Sequence, residues 1–224
     1  MAKPILGYWE LRGIAEPIRY LLHYKKVDFE DKRYAADESG YEEWEKDKLT
    51  LELNFPSLPY YIEGDLKLTH NIVIMRHLGY KYGLIGNTKE ERRRVVIAEQ
   101  QAVDFRDKFR SFVFKKEFET TGKEEFLKSV QPMFQQWERF LGSSKFLVGD
   151  ELTYVDFLLY EALDHYRVFH ETILDDFPSL RAYFNRMKNL PDLMDYINSS
   201  VHKSWPIFYH KAKFGGSGDP PKHF

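Results

Sequence analysis

The chain has 224 residues, 43% apolar and 30% charged, with a formal charge of -2 and no cysteine. That length suits one large or two modest domains with a real core, and the near-balanced charge argues against a nucleic-acid partner, which needs a basic face to neutralise phosphates. The lack of cysteine excludes disulfides, thiolate metal sites and a CxxC redox centre. With no apolar h-region at the N-terminus and no run of membrane-spanning length, a cytoplasmic protein without a membrane partner is expected.

Pro4 to Trp9 reads as a short strand in which Gly7 permits close backbone approach. Ile18, Leu21 and Leu22 give the run from Ala15 to Tyr24 a helical apolar spacing, and Pro17 falls where a first-turn proline is tolerated. Val27 to Tyr34 alternates as a second strand. After a polar stretch from Ala35 to Gly40, a short amphipathic segment covers Tyr41 to Leu49. Two strands, Leu58 to Ile62 and Leu66 to Leu68, flank the hairpin turn Glu63-Gly64-Asp65, and a helix from Asn71 to Tyr82 stops near Gly83. The order is βαβ followed by ββα.

After Gly86 the pattern changes. Thr88-Lys89-Glu90-Glu91 is a capping-box sequence and opens a long helix reaching Lys116. A second long helix covers Lys123 to Leu141. Thr153 is the N-cap of another, with Asp156 placed to return a bond to its backbone and Leu152 to staple onto Phe157. Further helices follow Pro178 and Pro191, and the Gly/Pro-rich segment from Phe214 to Pro221 is expected to be loose. The reading is an α/β domain over residues 1–83, an all-helical domain over 88–213 and a flexible tail over 214–224.

Four blocks, in this order along the chain, carry a family resemblance: PILGYW-(x)2-RG, LxLxFPxLPYYIxGDLKLT, FLxGDxLTYVDFLLYEALD and WP-(x)7-FGG. This colinear set resembles the cytosolic glutathione transferases, most closely the mu class and the mu-like enzymes of invertebrates. The resemblance implies a thioredoxin-like N-terminal domain, an all-α C-terminal domain and a homodimer. It implies glutathione as co-substrate, no metal, and transfer of the glutathione thiolate to small hydrophobic electrophiles, a detoxifying reaction. The alternative is a weakly catalytic or non-catalytic ligand-binding (ligandin-like) member of the same fold.

Tyr8 occupies the position of the family's catalytic tyrosine, and physical chemistry supports that role. In a chain without cysteine the thiol must arrive with a ligand, and a thiol of pKa ~8.5 is only a few per cent ionised at neutral pH. Making it mostly thiolate needs a drop of about two units, or ~2.7 kcal/mol. One hydrogen bond to a charged acceptor contributes roughly 1.5–3 kcal/mol, so a single phenol nearly suffices, helped by the positive end of the following helix.

For the rest of the tripeptide, Leu58-Pro59 matches the family's backbone clamp, in which the bond before the proline is cis and the Leu58 backbone pairs with the cysteinyl unit. Trp9, Trp44 and Lys48 match residues around the glycyl carboxylate; unaided by the resemblance, Lys48 reads as a solvated charge and Trp44 as a loop anchor. His70-Asn71 stands where most relatives have Gln-Ser to hold the γ-glutamyl carboxylate. The helix start remains an anion site, and both side chains can donate, against the opposing reading of a weakened pocket. Ser57 replaces an asparagine common in that block. Asp104 matches an aspartate that reaches across the dimer to the α-amino group; by itself it reads as a solvated acid on a long helix. Arg76 and Phe55 match dimer-interface positions, Phe55 as an aromatic key, its alternative being a residue of its own core. By alignment Leu11, Ile14, Phe114 and Phe208 line the electrophile site, and Phe114 lacks the phenol that many relatives place there. Phe109 and Phe112 read as core aromatics, Tyr154 and Tyr160 as structural residues.

Overall fold

The structure, a computed structural model, describes residues 3–115, 118 and 122–223. The first part of the chain is β1 (Ile5–Trp9), α1 (Glu16–Tyr24), β2 (Glu30–Tyr34), α2 (Glu38–Thr50), β3 (Tyr60–Glu63), β4 (Leu66–Thr69) and α3 (Asn71–Lys81). The strands form one mixed sheet in the order β2-β1-β3-β4. β1 runs parallel to β2, with Tyr8 opposite Arg33, and antiparallel to β3, with Gly7 opposite Tyr60. The close approach at Gly7 is to the Tyr60 ring: a Cβ there would lie 2.1 Å from it. This is the thioredoxin-like arrangement that the family resemblance implies. α2 starts earlier than its amphipathic core suggests because Asp37, within the polar stretch, caps it by accepting from Gly40 N–H at 3.2 Å.

The helical part comprises α4 (Lys89–Val113), α5 (Lys123–Leu141), α6 (Tyr154–Phe169), α7 (Pro178–Lys188) and α8 (Pro191–Ile197). Thr88 and Glu91 cap α4 reciprocally, at 3.1 and 2.9 Å. α4 ends at Val113 with Phe114 as its C-cap; Lys116, the expected end, lies outside the described residues. Among the described residues no helix is long and apolar enough to cross a membrane.

α6 is the central helix: every residue from Tyr154 to Tyr166 is buried, and it packs on α1, α3, α4 and α7. A helix buried all round has no solvent face for its charges, so each must find partners inside. At its start Asp156 accepts from the backbone N–H groups of Leu147 (2.9 Å) and Thr153 (2.8 Å) and from the hydroxyls of Thr153 (3.0 Å) and Tyr183 (3.2 Å). Burial pushes its carboxyl up to about 6 against the pull of those donors. Asp156 thus joins the loop before α6, the helix itself and α7.

The C-terminal segment makes specific contacts with the rest of the chain. Ile207 and Phe208 N–H both donate to Gly215 C=O, at 2.8 and 2.9 Å. Trp205 Nε1–H donates to Gly218 C=O at 2.8 Å, and His223 Nε2–H to Val168 C=O at 2.9 Å. Phe214 packs edge-on against Phe169 at 5.0 Å. The Trp205–Pro206 bond is cis.

Asp156→Ala strands three donors in the interior, the N–H groups of Leu147 and Thr153 and the Thr153 hydroxyl, while Tyr183 keeps its bond to the residue 156 C=O at 3.0 Å. Thermal unfolding at neutral pH is expected to show a loss of about 3 kcal/mol, a fall in midpoint of roughly 6–12 °C for a chain of this size.

Candidate active site

Tyr8 lies at the end of β1 and is 8% exposed. Its oxygen accepts from Ile14 N–H at a long 3.4 Å, which leaves its own O–H free to donate. The chain turns back over the ring at Gly13, where φ is +51° and a Cβ would fall 2.6 Å from the Tyr8 hydroxyl. Both the left-handed backbone and the lack of side-chain space require glycine. Burial raises the pKa of the Tyr8 hydroxyl, while Ile14 N–H and the charges of Arg19, Arg110 and Arg106 pull it down. The net shift is upward, so the phenol is protonated at neutral pH and acts as a donor.

The loop carrying Tyr8 to Ile14 is gripped from below by two buried arginines. Arg12 donates to Glu161 (3.1 and 2.6 Å) and Asp164 (2.7 Å) of α6. Burial opposes ionisation of Glu161, yet the charges of Arg12 and the neighbouring His165 hold its carboxyl well below the usual range. Arg19 of α1 donates to Leu11 C=O at 2.9 Å and pairs with Glu16 and Asp31. Backbone bonds from Arg12 N–H to Pro206 C=O (3.1 Å) and from Gly13 N–H to Ile207 C=O (2.8 Å) tie the loop to the C-terminal segment.

The result is a cavity of about 330 Å³ between the two parts of the chain. Tyr8, Trp9, Leu11, Ile14, Phe114 and Phe208 all line it. Phe208 meets Phe114 edge-on at 6.0 Å and His165 at 5.0 Å. Arg106, Arg110, Tyr41, His165 and Tyr209 also line it and were not found from the sequence. A signal existed for two of them: Arg106, Arg110 and Phe114 are spaced four apart, the period of one helix face. His165 and Tyr209 had none, because distant elements bring them in.

The remaining residues assigned by the resemblance lie on several elements. The Leu58–Pro59 bond is cis. Trp44 is buried, stacked on Tyr60 at 5.9 Å and edge-on to Tyr34, whose ring also meets Trp9. Lys48 pairs with Glu45 at 2.6 Å, and Ser57 is half-buried. At the start of α3 it is His70 that takes the N-cap position, with φ +68° and no side-chain capping bond; Asn71 is the first helical residue. A non-glycine residue in that region is costly and clusters at ligand sites. Asn71 is buried, and among the described residues its Nδ2 has no hydrogen-bond partner. Asp104 stands exposed on α4, accepting from Gln100 at 2.8 Å. Phe55 is 74% exposed, outside the core of its own chain. Arg76 pairs with Glu99 of α4. Among the described residues no group of three histidine or acidic side chains is placed to hold a metal ion.

Comparison with known proteins agrees with this architecture. The N-terminal domain family of glutathione S-transferases matches residues 4–80, and the C-terminal domain family matches residues 103–200. The chain is 42% identical over 214 residues to glutathione S-transferase Mu 1 of Oryctolagus cuniculus, covering 94% of this chain and 98% of that one. It is 39% identical over 218 residues to a class-mu 26 kDa glutathione S-transferase, isozyme 1, of Fasciola hepatica, covering 97% of each. Among solved structures, glutathione S-transferase Blo t 8 aligns at a TM-score of 0.79 with 34% identity, over 94% of this chain and 99% of that one. The Pi-class enzyme of Onchocerca volvulus aligns at 0.83 with 27% identity, over 94% and 100%. The chain belongs to the glutathione S-transferase family, with mu-class enzymes among its relatives.

Gly13→Ala pushes a methyl group against the Tyr8 hydroxyl. Initial-rate measurements are expected to show a loss of roughly tenfold to a hundredfold in kcat/KM for glutathione conjugation, the scale for displacing a reacting group by about 1 Å.

Proposed function

We propose that the chain is a glutathione transferase in which Tyr8 activates the thiol for attack on small hydrophobic electrophiles. The observation that carries this reading is the buried, protonated Tyr8 hydroxyl on the wall of an apolar cavity, its oxygen already engaged by Ile14 N–H. Its free O–H donates to the sulfur and favours the thiolate over the thiol. The proton leaves to solvent, the thiolate attacks the electrophilic centre, and a thioether forms as the leaving group departs or as a ring or enone opens to take up a proton. Apolar walls from Leu11, Ile14, Phe114 and Phe208 hold the electrophile. No observation favours a non-catalytic carrier.

The tripeptide is assigned to the surface beside Tyr8. Its cysteinyl unit pairs with the Leu58 backbone beside Pro59, with Ser57 in the same turn, and its glycyl end lies toward Trp9, Trp44 and Lys48. The γ-glutamyl carboxylate sits at the start of α3, which is supported by the unpartnered Asn71 Nδ2 and the positive φ of His70. Asp104, exposed on α4, meets the α-amino group of glutathione held by the partner in a homodimer. Supporting that dimer are the exposed apolar side chains Phe55, Val73, Tyr80 and Ile97, with Arg76 beside them on α3 and Phe55 as the inserted key. A domain boundary between residues 83 and 88, a cytoplasmic location and a detoxifying role complete the reading.

Tyr8→Phe removes the donor. Ultraviolet difference spectra of bound glutathione are expected to show its thiol pKa raised by about two units, with kcat/KM near neutral pH down by roughly a hundredfold. Equal thiolate formation in variant and wild type would remove the basis for the assignment. Phe114→Tyr adds a hydrogen bond for a developing oxyanion, so epoxide opening is expected to gain about tenfold and aromatic substitution less. An epoxide conjugated faster by the wild type than by the variant contradicts that role.

A further inference from the structure

The electrophile cavity carries charge of one sign. Arg106 and Arg110, four residues apart on α4, both line it, and among the described residues no acidic side chain does. Arg106 is paired with Asp107 next to it, at 3.0 and 2.9 Å. Arg110 is exposed, and its guanidinium carbon lies 5.6 Å from the centre of the Phe114 ring. Among the described residues no carboxylate pairs with Arg110. Leu11 and Ile14 also line it, and Phe208 packs against Phe114.

An uncharged apolar ligand filling this cavity would strip water from the Arg110 guanidinium and return nothing for it, a net cost. A ligand with an anionic end would replace that water with a charge-assisted pair, and a guanidinium presents two parallel donors that match a carboxylate. The cation–π approach to Phe114 keeps the exposed guanidinium beside the cavity wall. Both arginines also act on the Tyr8 hydroxyl, whose pKa they pull down against burial, so their field spans the cavity.

We propose that this cavity selects apolar electrophiles bearing an anionic group, in particular a carboxylate, which Arg110 grips with Arg106 beside it. The inference rests on the reading of the cavity as the electrophile site. The anionic end lies at the α4 wall, the apolar body lies among Leu11, Ile14 and Phe208, and the electrophilic carbon faces the sulfur at Tyr8. Because Phe114 has no hydroxyl, Arg110 is the donor available at that end of the site. The chemistry is the substitution already described: the thiolate carbon–sulfur bond forms, the carbon–halide bond breaks and halide leaves with the electron pair.

The test compares a chloronitrobenzoate with its methyl ester, each kcat/KM divided by the uncatalysed rate with glutathione, in wild type, Arg110→Gln and Arg110→Lys. Wild type is expected to accelerate the carboxylate more than the ester by roughly tenfold, equivalent to about 1.4 kcal/mol. Arg110→Gln should abolish that ratio, and Arg110→Lys, which keeps the charge but loses the fork, should retain part of it. A ratio near one in wild type, or a ratio unmoved by Arg110→Gln, overturns the proposal. A raised KM for glutathione with the ratio unmoved also overturns it, because the arginine then serves the tripeptide. Conjugation of neither compound, with dinitrochlorobenzene also inert, instead overturns the transferase reading and takes this inference with it. Conjugation of dinitrochlorobenzene alone overturns only this inference.

Discussion

The site depends on one buried guanidinium. Arg12 is 1% exposed and leaves the loop after β1 to pair with Glu161 and Asp164 on the central helix α6. Burial works against its charge, but Glu161, the Tyr20 phenol and Asp164 hold its pKa well above the usual arginine range. Tyr20 and His165 also bond Glu161, each at 2.9 Å, so the carboxylate meets donors from the β1–α1 loop, from α1 and from α6 itself. A buried pair of this kind adds little net stability, because desolvation offsets the attraction. Its directional bonds, however, allow only one placement of the loop, and losing one partner leaves a charge uncompensated in the interior.

From that placement the chemistry follows. Gly13 and Ile14 are the next residues along the loop, and they bring a left-handed turn and a backbone N–H onto the Tyr8 hydroxyl. The same loop is bonded to Pro206 and Ile207, so Phe208 arrives beside Leu11 and Ile14. Tyr8 comes from the sheet, Arg106, Arg110 and Phe114 from α4 and its end, His165 from α6, and Phe208 from the C-terminal segment. Neither half of the chain contains the cavity alone. Burial then has two effects on the phenol: it keeps the proton on oxygen, and it strengthens the bond that proton makes with an incoming sulfur.

Much of the local structure was legible because its physics is local. The α4 and α6 caps were readable from side chains three residues apart, and the β3–β4 hairpin from the glycine in its turn. One misreading came where a single residue outweighed the pattern around it. Asp37 extended α2 beyond its amphipathic stretch. Leu11, Ile14, Phe114 and Phe208 were reached by resemblance alone, since nothing in their local spacing joins them.

The sequence by itself determined the order of elements, their caps and turns, the requirement that any thiol be supplied by a ligand, and the family through four colinear blocks. These follow from contacts within a few residues and from composition. Only the tertiary structure decided that Arg106, Arg110 and His165 share a cavity with Tyr8, that Phe55 stands outside its own core, and that Asn71 keeps an unpartnered amide. Those facts depend on where helices cross and which faces they cover. Packing of the whole chain sets that geometry, and no local period encodes it.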